Sequence, residues 1–306
     1  MCVNLLKRSW PRDGSHERSM SGVFQPRPIV REVQSEGEEV SISVLIPTRN
    51  APSILALTLA HYWANAHDDR LVDSVTLLDN ASTAPGMDAV LAEAHRRGCH
   101  VIRHEKNIGV WASVNRGLAL SRSEKVFVLT SDILLAPDAL KWLHALQDDT
   151  GVDFLGPKVI SDQQEYLWTL YDDPLPAQTV DLSTYNGAVW LFTRECIEKV
   201  GYFDPSFYVC FGDVDYAQRV KDAGLSYGVT DAVRCLHLDK CSRRADHTAD
   251  QDTSIEIRDW ERFAEKWAHR PDVMAKHAKP DRIFYNMLKE RYWEQNVEQP
   301  ATVEVS

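Results

Sequence analysis

Long apolar runs are missing from this chain of 306 residues. None approaches the ~20 residues that span a bilayer, so a transmembrane segment is not expected. The N-terminus carries charge but no continuous apolar stretch, which argues against a secretory signal. Cysteine is scarce: the six residues Cys2, Cys99, Cys196, Cys210, Cys235 and Cys241 form no CxxC pair and no disulfide-like spacing. They read as reduced thiols of a cytoplasmic protein, with peripheral membrane contact left open. Cys235, His237 and Cys241 resemble part of a zinc cluster, but a fourth ligand at suitable spacing is missing. Positive charge is also in deficit, with 34 Lys and Arg against 45 Asp and Glu and a formal net charge of −11. Such a surface is a poor partner for a nucleic acid, although one local pocket can still hold a nucleotide.

What is present is an ordinary globular composition, 44% hydrophobic and 26% charged, enough for a sizeable core. Residues 1–40 are rich in Pro, Ser, Gly, Arg and Glu without a sustained period, and read as a mobile leader. From Ser41 the pattern changes. Strands are expected at Ser43–Ile46 (closed by Pro47), Val75–Leu78, Val101–Ile102 and Lys125–Leu129. Helices are expected after Pro52, through Met87 to Ala94, over Val110–Leu120 and after Pro137. Further on, strands are expected at Phe154–Ile160, Gly187–Thr193, Tyr227–Val229 and Ala232–Leu238. Residues 161–183 read as a loop and Val214–Ala223 as a helix. This alternation implies an α/β domain over 41–244, with a mixed, mostly parallel sheet and helices on both faces. Residues 245–306 read as a helical C-terminal extension, with Trp260, Phe263 and Trp267 at helical spacing. Packing on the domain is its first reading; an acceptor lid, a homodimer contact or a membrane-surface contact are the others.

In parallel sheets the ligand lies beyond the carboxyl ends of the strands. Four such ends carry polar groups: Pro47-Thr-Arg-Asn50, Asp79-Asn-Ala-Ser-Thr83, Asn107-Ile-Gly109 and Thr130-Ser-Asp132. Any one of them suits a cap or a turn, but four at one edge would line a crevice. Thr48 and Asp79 can bond a nucleotide base. Gly109 lets a ligand approach the next helix N-terminus. Asp132 ends a strongly apolar strand, where a divalent metal on a diphosphate would explain a carboxylate. Asp213 and Asp215 lie at an expected helix start, a position that suits capping or, for one of them, a general base. His237 can ligate a metal, and Lys240, Arg243 and Arg244 can hold phosphate oxygens.

These segments, in order and spacing, resemble the family 2 glycosyltransferases of GT-A fold. The likeness runs from Ser43 to about Arg244 and rests on Val44-Leu-Ile-Pro-Thr-Arg-Asn50, Leu77-Leu-Asp79-Asn-Ala-Ser-Thr83 and Asn107-Ile-Gly-Val-Trp-Ala-Ser-Val-Asn-Arg-Gly117. It continues through Val128-Leu-Thr-Ser-Asp132-Ile, Asn186-Gly-Ala-Val-Trp-Leu-Phe-Thr-Arg-Glu195, Val200-Gly-Tyr-Phe-Asp204, Gly212-Asp-Val-Asp-Tyr216 and Leu236-His237. The resemblance implies that Pro47, Thr48, Asn50 and Asp79 hold base and ribose, and that Asn107, Gly109, Asn115, Arg116 and Ser131 lie beside the sugar diphosphate. It makes Asp132 the last acid of the metal-binding Asp-x-Asp, joined by His237 on Mn2+ or Mg2+. Asp213 falls in the catalytic-base region. Asn186, Gly187, Asp204 and Asp215 fall on the acceptor side. Thr130 and Gly212 stand where the family usually carries acids.

The implied activity is sugar transfer, with inversion, from a nucleotide-diphosphate sugar to a hydroxyl of a glycan, lipid-linked or small-molecule acceptor. The alternative is a nucleotide-sugar-binding protein with weakened or lost transfer. A nucleotidyltransferase would carry a Gly-rich loop with Arg and Lys after its first strand, and Pro47-Thr-Arg-Asn50 is not one.

Overall fold

The structure, a computed structural model, describes residues 40–160, 180–182, 185, 187–238, 253–277 and 279. Within these, apolar residues alternate between two environments along the central strands, and that alternation puts a core on each side of one sheet. In β1 (Ile42–Thr48), Val44 and Ile46 face one core and Leu45 the other. In β4 (Lys125–Leu129), Phe127 and Leu129 face the first core, Val126 and Val128 the second. The other strands are β2 (Val72–Asp79), β3 (His100–Arg103), β5 (Ile133–Leu135), β6 (Phe154–Ile160), β7 (Val180–Asp181), β8 (Val189–Thr193) and β9 (Tyr227–His237). The order is β3-β2-β1-β4-β8-β6-β9-β5, with β7 also on β9. The pairings make β1, β2, β3, β4, β6 and β9 run one way and β5, β7 and β8 the other, a mixed, mostly parallel sheet.

Helices cover both faces. The first core takes Leu55 and Leu59 from α1 (Pro52–His61), Met87 and Leu91 from α2 (Met87–Arg96), and Leu140, Leu143 and Leu146 from α4 (Ala139–Thr150). The second takes Trp111, Val114 and Leu118 from α3 (Val110–Leu120), Cys196 and Ile197 from α5 (Arg194–Val200), and Tyr216, Ala217 and Val220 from α6 (Gly212–Asp222). Phe263 and Trp267 of α7 (Thr253–Trp267) and Val273 of α8 (Pro271–Met274) join that same core. Burying aromatics of this size contributes roughly 2–3 kcal/mol each, so α7 is bound to the sheet-and-helix unit by substantial apolar contact.

Several elements differ from expectation. β1 runs through Pro47, because its ladder to β4 ends at Leu45 while that to β2 continues to Thr48. Pro47 therefore needs to serve only one neighbouring strand. Two strands expected at 227–238 are one, β9, whose register against β6 jumps between Pro157 and Lys158. That irregularity absorbs extra residues that otherwise look like a turn. The short strands β5 and β7 and the helix α5 were not expected.

Candidate active site

The register of the parallel half lines up Thr48, Asp79 and Arg103 at the carboxyl ends of β1, β2 and β3. Asp79 is fully buried. Its Oδ1 accepts from the Ser82 N–H at 3.2 Å and from the Ser82 hydroxyl, while Arg103 Nε lies 3.0 Å from Oδ2 as an ion pair. Asn50 fixes the turn above: its Oδ1 accepts from the N–H groups of Thr83 (2.8 Å) and Ala84 (2.9 Å), and its own N–H donates to Ser82 Oγ. Asn50 and Ala81 both hold left-handed backbone, φ 51° and 57°, a conformation that persists only where surrounding bonds enforce it. Asn80 Oδ1 accepts from the Ile108 N–H at 2.8 Å and ties this turn to the Asn107–Gly109 turn. Two hydroxyls at this strand edge, Thr48 Oγ1 and Thr130 Oγ1, are buried without a hydrogen-bond partner among the described residues. Buried polar atoms are usually satisfied, and both lie where a ligand of an α/β sheet would supply the partner.

The antiparallel pairing of β5 with β9 sets Ile133 opposite His237 and so brings His237 to Asp132. His237 Nε2 lies 3.5 Å from Asp132 Oδ1, and Asp132 is buried. Its neighbour Ser131 is buried too, and the Ser131 carbonyl accepts from Thr58 Oγ1 at 2.9 Å. Among the described residues, no group of three or more His, Cys, Asp or Glu side chains converges as a metal cage. One carboxylate with one imidazole would fit a divalent ion if diphosphate oxygens and water took its remaining positions. Lys240, Arg243, Arg244 and Asn186 lie outside the described residues, as does Cys241. Cys235 is buried in the first core, and burial pushes its thiol up.

Asp213 opens α6 and is partly buried. Burial pushes its carboxyl up to about 6, against the N–H groups of Val214 and of Asp213 itself, which favour the ionised form. Its Oδ2 comes so close to Gly187 that a Cβ there would sit 2.7 Å away. Gly187 leads directly into Ala188, whose carbonyl accepts from the Thr130 N–H at 3.1 Å. Asp213 therefore stands beside the strand edge that carries Thr130 and Asp132. Tyr185 lies near it: burial, and next the Asp213 charge, push the Tyr185 hydroxyl up.

Gly212, where the resemblance implies an acid, has a packing reason. A Cβ on it would lie 2.5 Å from the Trp111 indole. Trp111 in turn stacks on Phe203 with centroids 4.8 Å apart and donates from Nε1 to the Val209 carbonyl. Gly212→Glu therefore is expected to destabilise the protein by about 1–3 kcal/mol through overpacking and to add no activity. Thermal unfolding beside a transfer assay checks this; a stable, more active variant would show that Trp111 yields and that the acid was merely absent.

Most of the other expected site residues also make contacts within the scaffold. Asn115 clamps Phe203, donating from Nδ2 to its carbonyl at 2.8 Å and accepting its N–H at 2.9 Å. Asn107 Oδ1 accepts from the Gly109 N–H. Gly109 has φ 85°, and a Cβ there would meet the Tyr208 carbonyl at 2.7 Å. Arg116 is exposed on α3. Burial lowers the nearby His104 imidazole, and the Arg116 charge lowers it further. Asp215 is fully buried and faces Arg219 Nε (2.9 Å), Trp267 Nε1 (3.1 Å) and Lys266 Nζ (2.7 Å). Lys266 also reaches Asp204 at 2.7 Å. Burial alone would raise the Asp204 carboxyl, but Lys266 and the Ser206 donors take it down to about 2. Sequence reasoning missed the contacts that Arg103 makes with Asp79, Trp111 with the Val209 carbonyl, and the α7 residue Asp259 with the N–H groups of 208–210. Arg103 was legible as the residue in register with Asp79 at the end of the next strand.

Comparison with known proteins agrees with this architecture. The profile of Glycosyl transferase family 2 matches residues 43–207, more than half of the chain, and the chain belongs to that family. It is 22% identical over 234 residues to the O-antigen biosynthesis protein RfbC of Myxococcus xanthus, covering 69% of this chain and 18% of that protein. Its fold is that of a GT-A glycosyltransferase. It superimposes on the crystal structure of GalNAc-T7 with UDP, GalNAc and Mn2+ with a TM-score of 0.58 and 13% identity, over 83% of this chain and 54% of that one. The chain thus spans about a fifth and about half of these two proteins.

Proposed function

We propose that this chain transfers a sugar from a nucleotide-diphosphate sugar to an acceptor hydroxyl, with inversion, in glycan synthesis. The observation that carries this reading is the raised carboxyl of Asp213, set against Gly187 beside the edge where Thr48 and Thr130 keep buried hydroxyls without a hydrogen-bond partner among the described residues. Thr48, Asp79 and the turn pinned by Asn50 receive the nucleoside. Asn107–Gly109 and Ser131 lie beside the diphosphate. Asp213 takes the proton of the acceptor hydroxyl. That oxygen attacks the anomeric carbon from the face opposite the nucleotide, and the bond to the diphosphate oxygen breaks. A carboxyl near 6 is mostly ionised at neutral pH and is a stronger base than an ordinary aspartate.

A divalent metal, Mn2+ or Mg2+, would be held by Asp132 and His237 with diphosphate oxygens, and would neutralise charge on the leaving group. The UDP and Mn2+ of the structural neighbour support this choice, and the O-antigen relative supports a glycan acceptor. No described helix is long and apolar enough to cross a membrane. The thiols Cys99, Cys196 and Cys235, buried and outside any disulfide among the described residues, fit a reducing, cytoplasmic compartment.

Thermal unfolding with a panel of nucleoside diphosphates, with and without Mn2+, tests the reading. At a hundredfold excess over its dissociation constant, the right nucleotide adds about 2.7 kcal/mol of stability. The increment that depends on Mn2+ should disappear in Asp132→Ala and in His237→Ala. No stabilisation by any nucleotide would sink the proposal. Thr130 and Gly212 favour a second reading, donor binding without transfer, which predicts the same stabilisation but no release of nucleoside diphosphate with any acceptor.

A further inference from the structure

Asp259 of α7 is fully buried, and its carboxylate collects backbone donors rather than a cation. Oδ2 accepts from the N–H groups of Tyr208 (3.1 Å), Val209 (2.8 Å) and Cys210 (3.0 Å), and Oδ1 shares the Tyr208 N–H at 3.1 Å. These three residues lead into Phe211, which holds a left-handed φ of 63°, then Gly212 and Asp213. The same segment is gripped from α3: the Val110 N–H donates to the Tyr208 carbonyl at 2.8 Å and Trp111 Nε1 to the Val209 carbonyl at 3.1 Å. Its three N–H groups thus go to α7 and two of its carbonyls to α3. A non-glycine residue in left-handed backbone costs of order 1–3 kcal/mol and persists only where its surroundings over-determine it. Asp259 supplies one half of that determination and α3 the other.

We infer that Asp259 is a positioning residue for sugar transfer, holding the 208–211 segment so that Asp213 meets the acceptor beside Gly187. This inference rests on the proposed role of Asp213. It makes α7, which lies outside the residues matched by the family profile, a working part of the site. The carboxylate is suited to the task because one oxygen can accept several N–H groups at once, and charge-assisted bonds of this kind are roughly twice as strong as neutral ones.

The test is a graded series in the full chain: wild type, Asp259→Asn and Asp259→Ala. Asparagine can place its one carbonyl oxygen where Oδ2 lies and keep three neutral bonds, whereas alanine keeps none. A displacement of about 1 Å at a reacting group costs on the order of 100-fold, so kcat should fall roughly 100-fold in Asp259→Ala and roughly fivefold in Asp259→Asn. The donor KM should stay within about threefold, since the nucleoside edge is formed by β1 and β2. Amide hydrogen exchange at Val209 and Cys210 should quicken in the same order. Should Asp259→Ala fail to fold, Asp259→Asn carries the test by itself. Wild-type kcat and wild-type exchange at Val209 and Cys210 in the folded variants would overturn the inference. So would a loss expressed equally in kcat and donor KM, which marks general loosening. A wild-type protein without transfer would instead refute the proposed function, and full transfer by Asp213→Asn would refute the role of Asp213.

Discussion

Asp213→Asn is expected to lower kcat by about 100- to 10,000-fold, the range a positioned general base contributes, while donor binding persists. The same change should leave thermal stability at neutral pH equal to or above that of the wild type. Burial raises the Asp213 carboxyl from 3.8 to about 6, so the folded state prefers the protonated acid. A raised carboxyl contributes stability that is fully present below the ordinary value of 3.8 and is lost as pH rises through about 6. At neutral pH the native state therefore carries a charge it disfavours, and the neutral amide removes it. A residue that costs stability and is needed for rate is the expected signature of a site. On the rate side the same carboxyl must be ionised, so kcat/KM for the acceptor should decline below about pH 6. An Asp213→Asn protein that unfolds at lower temperature and retains activity would reverse both assignments.

Two residues along, Asp215→Ala should behave in the opposite way. Asp215 is fully buried beneath α6 with Arg219, Lys266 and Trp267 all pointing at it, and it joins α6 to α7. Its removal leaves Trp267 Nε1 without this acceptor and the two cations less well matched. Breaking a buried ion pair by removing one partner typically costs 3–5 kcal/mol, and in a chain of this size a loss of that order lowers the melting temperature by roughly 10 °C. Equilibrium unfolding in denaturant checks the magnitude. Loss of transfer at low temperature from a fully folded Asp215→Ala protein would show instead that Asp215 works in the crevice.

The contrast between these neighbours also shows what a sequence can and cannot convey. Both aspartates read as acids at a helix start, and α6 does begin at Gly212. That Asp215 is held by Lys266 and Trp267 depends on α7, more than forty residues away, and neither spacing nor residue type reveals that contact. The parallel half of the sheet was legible because β1 and β4 are continuous apolar runs closed by polar residues, the mark of strands buried on both faces. β5 was not: three apolar residues before a helix carry no period, yet its pairing with β9 is what brings His237 to Asp132. The resemblance implies ligand contacts for Asn50 and Asn115, and what it does not convey is that both side chains also bond the backbone, at Thr83 and Ala84 and at Phe203. Asp259 did carry a signal. It precedes Phe263 and Trp267 by four and eight residues, which places an acid on the buried stripe of an amphipathic helix. Charge on such a stripe needs buried partners, and the N–H groups of 208–210 are those partners.

Asp213 is proposed as the base of a sugar transfer at this strand edge. Release of nucleoside diphosphate from nucleotide sugars by the purified chain, with Mn2+ and a panel of glycan and lipid-linked acceptors, measures it most directly when wild type and Asp213→Asn are run side by side. Acceptor-dependent release by the wild type and loss of release in Asp213→Asn are expected, with the same nucleotide still raising the melting temperature of both. Equal release by the two proteins, or no stabilisation of either by any nucleotide, would contradict that role.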